Sequence, residues 1–123
     1  MNAAWLRMAC VAAVFLLVFA TGFWLKALGR PYGVALMTVH KLAATGILFY
    51  LLIQAVGANK LSALSASMWI VVSLATLSFL IMIASGGALS AMKSPPAIIS
   101  VVHQVAPYTT VLFSIVAFLG ILW

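Results

Sequence analysis

Polar side chains break this chain at three places, and the apolar runs between the breaks are each close to a bilayer crossing in length. About 20 apolar residues cross a bilayer as a helix. The first run is about Ala4 to Leu25, followed by the loop "KALGRPYG", in which Gly29 and Pro31 act as breakers. The second is about Gly33 to Val56, ended by "GANK". The third is about Leu61 to Ala84, with an apolar extension towards Met92, and "MKSPP" leads into the fourth, about Ala97 to Trp123. The pattern predicts an all-α integral membrane four-helix bundle. It would be a single domain over residues 1–123 with spans at about 4–25, 33–56, 61–84 and 97–123. The apolar stretch between Arg7 and Lys26 is 18 residues. That exceeds the ~7–15 residues of a secretory signal core, so it reads as a span.

The two halves share a pattern. "ATG" (Ala20 to Gly22) ends the first span and "ASGG" (Ala84 to Gly87) lies near the end of the third. "GRP" opens the second span and "KSPP" the fourth, while "VHKLA" (Val39 to Ala43) matches "VHQVA" (Val102 to Ala106). Arg30 and Lys93 are 63 positions apart, as are His40 and His103. A duplicated helical hairpin accounts for this. Both copies have the same orientation, so the pseudo-symmetry axis would run along the membrane normal.

Composition agrees and narrows the chemistry. Of 123 residues, 67% are hydrophobic and 5% charged, with a mean hydropathy of +1.34; soluble domains carry about 25% charged residues. There are six Lys and Arg and no Asp or Glu. The cations flank the apolar runs, as in membrane proteins, and are not a nucleic-acid footprint. Without acids there is no carboxylate pair for glycoside hydrolysis, no Ser-His-Asp triad and no carboxylate site for a hard cation. Nor is there an intramembrane acid for proton-coupled transport. Cys10 is the single cysteine, so no internal disulfide forms.

Two histidines stand out in spans this apolar. His40 lies 7 residues past Gly33 and His103 lies 6 past Ala97. At about 1.5 Å per residue, both sit roughly 9–10 Å into their helices. Those helices start from the same side of the membrane. Matching depth on parallel helices suits a haem iron held by one imidazole on each side. Small residues one turn away, Ala43 and Ala44 in one copy and Ser100 and Ala106 in the other, leave room for a flat macrocycle. Gly22, Gly86 and Gly87 lie near the same face, where glycine permits close approach of a ligand or of a helix. Lys26, Arg30, Lys41 and Lys93 fall on that side as well, with no carboxylate side chain to pair with; haem propionates are natural partners for such cations, and Lys41, Arg30 and Lys93 are the ones expected to hold them. Pro107 cannot donate to the carbonyl of His103, which frees an acceptor there.

Simpler readings stand beside these. A lone intramembrane histidine is often a hydrogen-bond partner between helices. Two ligands are too few for the usual zinc site. Loop cations set topology without any ligand; counting them places loops one and three in the cytoplasm and both termini outside. Trp5, Trp24, Tyr32 and Trp123 read as interfacial anchors.

The small residue and glycine closing one helix, the short Pro-containing loop and the "VHKLA" or "VHQVA" helix together resemble bacterial membrane b-type cytochromes. That group comprises cytochrome b561-like proteins and respiratory cytochrome b subunits. The resemblance implies helices whose histidines ligate haem b and pass electrons to or from quinones or partner proteins. It makes His40 and His103 the axial ligands and places Gly22 and Gly86 against the haem. Two-haem members use four histidines; this chain has two, so it would hold one haem b. It also has no acid and no spare histidine to take a proton from quinol. The expectation is therefore a small electron carrier, not an autonomous enzyme, in a bacterial inner membrane and within a larger complex or a homo-oligomer. The alternatives are a cofactor-free structural or assembly subunit and a small transporter or lipid-binding protein using the cleft between the repeats.

Overall fold

The computed structural model describes residues 2–123 and is all-α, with no strand among them. Four long helices follow one another: α1 (Ala3–Leu28), α2 (Val34–Leu61), α3 (Ala66–Ala91) and α4 (Ala97–Leu122). Each is long and apolar enough to cross a membrane. This is an integral membrane protein whose helices meet the lipid bilayer. Leu16, Phe23, Phe49 and Leu112 are each at least 60% exposed, as expected where hydrocarbon replaces water.

The helix ends differ from the sequence expectation, and each difference has a local cause. The Asn2 side chain accepts from Trp5 N at 3.0 Å and starts α1. At its other end α1 runs on past Leu25 until Gly29, whose φ of +69° is favourable only for glycine and whose N–H donates to Leu25 O. α2 passes through "GANK" to Leu61, because one glycine costs a helix only about 1 kcal/mol. α3 begins at Ala66 instead of Leu61. Ser65 is its cap, accepting from Met68 N at 3.2 Å, and Asn59 Oδ1 takes the Leu64 N–H in the preceding loop. α3 then continues through the two glycines to Ala91, the extension the apolar pattern allowed. α4 runs unbroken across Pro107.

The chain divides into two compact units, one ending at Ile47 and the other spanning Leu48–Trp123. In the first, α1 buries Val11, Phe15, Val18, Thr21 and Leu25, a seam spaced by threes and fours, and Val18 and Thr21 meet His40 of α2. In the second, Leu51, Ala55, Phe79, Ala117 and Phe118 are fully buried, and the Tyr50 and Phe118 rings stack with centroids 5.8 Å apart. Val72, Ala75, Phe79 and Met82 form the corresponding seam of α3, which packs along α4.

The candidate histidine sites

His40 is the seventh residue of α2, and His103 is the seventh residue of α4. Each follows a five-residue loop, 29–33 or 92–96. His40 belongs to the first unit and His103 to the second.

In the first unit, Nδ1 of His40 lies 3.0 Å from Val18 O and 3.0 Å from Thr21 Oγ1. A carbonyl oxygen only accepts, so Nδ1 carries the ring proton. The Thr21 hydroxyl donates to Leu17 O at 2.7 Å, with Val18 O also 3.1 Å away, so its lone pair is turned to the imidazole. In the second unit, Nδ1 of His103 lies 3.1 Å from Met82 O and 3.0 Å from Ser85 Oγ. The Ser85 hydroxyl donates to Met82 O at 3.0 Å. The two arrangements match group for group: a carbonyl, a hydroxyl three residues on, and an imidazole from the next helix. In both, a neutral ring has its lone pair on Nε2, the nitrogen that serves as a metal ligand when Nδ1–H is held by a carbonyl.

The glycines complete the match. The α1 seam Val11, Phe15, Val18 continues to Gly22, and the α3 seam Val72, Ala75, Phe79, Met82 continues to Gly86. A Cβ at Gly22 would stand 3.0 Å from Cε1 of His40, and one at Gly86 would stand 2.8 Å from Cε1 of His103. Each glycine therefore makes the space its imidazole occupies. The ring each glycine accommodates is that of the histidine on the next helix. Ala44 and Ala106, one turn past the histidines, are buried, while Ala43 and Ser100 are half-buried.

The three expected propionate-binding cations are all exposed. Lys41 follows His40 on α2 and is turned about 100° from it around the helix. Arg30 lies in the first loop with its guanidinium 5.6 Å from the centre of the Tyr32 ring. Lys93 lies in the third loop. Among the described residues no three His, Cys, Asp or Glu side chains gather as a metal site. The donor set available is one imidazole per hairpin.

Thr21 and Ser85 were not singled out from the sequence. Their signal was present, since a hydroxyl residue precedes the matching glycine in both "ATG" and "ASGG". The repeat is thereby refined: Thr21-Gly22 pairs with Ser85-Gly86 at a spacing of 64, against 63 for the histidines. Compared with protein-family models, with curated proteins and with solved structures, the chain matches none.

Proposed function

We propose that this protein is a one-electron carrier of the bacterial cytoplasmic membrane that holds a single haem b between His40 and His103. The observation that carries the reading is the duplicated anchoring of the two imidazoles. In each hairpin Nδ1 is committed to a main-chain carbonyl and a hydroxyl, which favours ligation through Nε2. Duplicated ligands in duplicated hairpins suit a cofactor that takes one imidazole on each face.

The haem would supply reversible one-electron chemistry. The chain's own residues would bind and orient it: Thr21 and Ser85 fix the ring planes, and Gly22 and Gly86 give the rings room. Arg30, Lys41 and Lys93 would offer charge to the propionates in a chain without acidic side chains. With His40 and His103 both holding the haem, the chain would favour electron transfer over catalysis at the iron. A quinone or a redox protein is the expected exchange partner, and a larger complex or a homo-oligomer the expected setting.

The test uses His40→Gly and His103→Gly in protein produced with haem available. Each variant should lose the six-coordinate low-spin spectrum, and added imidazole should restore it. Spectra unaffected by either substitution would refute the ligand assignment.

A second reading rests on the same bonds. His40 joins α2 to α1, and His103 joins α4 to α3, so both can act purely as interhelical ties in a cofactor-free structural subunit. On that reading the purified protein is colourless even after haem supply.

A further inference from the structure

We propose that α2 carries a binding site for one anionic phospholipid, with an acyl chain laid along its second half and the phosphate at Lys60. Phe49, Leu52, Ile53, Val56, Gly57 and Lys60 recur at intervals of three and four, so they share one face of α2. They line an open recess of about 420 Å³, all within the second unit. Phe49 is 60% exposed, Ile53 64% and Val56 49%. Gly57 deepens the recess, since a Cβ there would meet nothing within 4 Å.

Length and charge select the occupant. From Phe49 to Lys60 the helix rises about 16 Å, close to half of the roughly 30 Å hydrocarbon core. The recess is one leaflet deep, which fits a lipid entering from that leaflet. A transmembrane helix would need a groove of twice the length. Lys60 lies one residue before the end of α2, and the ends of a helix longer than the hydrocarbon core reach the headgroup region. The last turn of a helix carries partial negative charge, so a phosphate must sit beyond it, at the ammonium on its flexible stem. The chain has no Asp or Glu, so a second copy offers no acidic side chain to Lys60. An anionic lipid gains about 1 kcal/mol from one such lysine.

Native mass spectrometry of detergent-solubilised protein, titrated with phosphatidylglycerol or phosphatidylcholine, tests this. The tightest adduct should be phosphatidylglycerol, preferred about fivefold. Lys60→Gln should remove that preference, Lys60→Arg should keep it, and Lys26→Gln should leave it in place. Gly57→Leu should weaken both lipids, with helicity by circular dichroism unchanged, because its side chain fills the recess. Equal binding of the two lipids, or phosphatidylglycerol binding indifferent to Lys60→Gln and Gly57→Leu, overturns the proposal. Conversion of a dimer to monomer by Gly57→Leu with lipid binding unchanged overturns it too, and assigns the recess to a second copy of the chain.

Discussion

The Thr21 hydroxyl accepts from Nδ1 of His40 across 3.0 Å while giving its own proton to the carbonyl of Leu17. Ser85 and His103 repeat the relationship at 3.0 Å, with Met82 O receiving the hydroxyl proton. Both histidines are thereby held in the Nδ1–H tautomer. Solid-state or solution ¹⁵N spectra of the haem-free protein, labelled at histidine, should show Nδ1 protonated and Nε2 unprotonated in both rings. The opposite tautomer in either ring would contradict the assignment.

Removing those hydroxyls should have a small and specific effect. Interhelical hydrogen bonds in membranes are worth about 0.6 kcal/mol on average. Thr21→Val and Ser85→Ala should each destabilise the protein by about 0.5–1.5 kcal/mol in detergent unfolding. Thr21→Ser should lose almost none of it. In each deletion the main-chain carbonyl still holds Nδ1, so the tautomer should persist while ring mobility rises.

The glycines are predicted to be more sensitive, and unequally so. A methyl at residue 86 would come within 2.8 Å of the His103 ring, closer than carbon atoms pack; at residue 22 the approach to His40 is 3.0 Å. Overpacking of this kind costs about 1–3 kcal/mol. Gly86→Ala should lie near the top of that range and Gly22→Ala near the bottom, measured as shifts in unfolding midpoint. Equal, negligible losses would show that the rings are free to move aside.

Ser114 differs from Thr110, the buried hydroxyl one turn earlier on α4. Its Oγ is fully buried with no hydrogen-bond partner among the described residues, whereas Thr110 one turn earlier donates to Ala106 O at 2.7 Å. An unsatisfied buried hydroxyl carries its desolvation cost without return. Ser114→Ala should therefore be neutral or stabilising by up to about 1 kcal/mol, while Thr110→Val, by removing a bonded hydroxyl, should not be stabilising.

The sequence carried the large features because they follow from simple sums. Twenty apolar residues make a span, so four helices were legible, and so was the pairing of "VHKLA" with "VHQVA". Helix ends were less legible. The start of α3 depends on a Ser65 side chain turning back to Met68 N, and the end of α1 on a positive φ at Gly29, neither of which shows in hydropathy. The hydroxyl partners of the histidines were hidden for a related reason. Serine and threonine are common in spans, where they usually bond back to their own helix, as Thr38 and Thr76 do here. Only the neighbouring helix reveals that Thr21 and Ser85 also receive an imidazole proton. Glycine marks close approach, of a ligand or of a helix, and only the fold shows that Gly22 and Gly86 each stand against the histidine of the next helix.

The most direct measurement of the central proposal is the haem content and optical spectrum of the purified wild-type protein, expressed with haem available. The account predicts one haem b per chain, six-coordinate and low-spin in both oxidation states, with no carbon monoxide adduct on reduction. A colourless protein, or a five-coordinate haem that binds carbon monoxide, would contradict it.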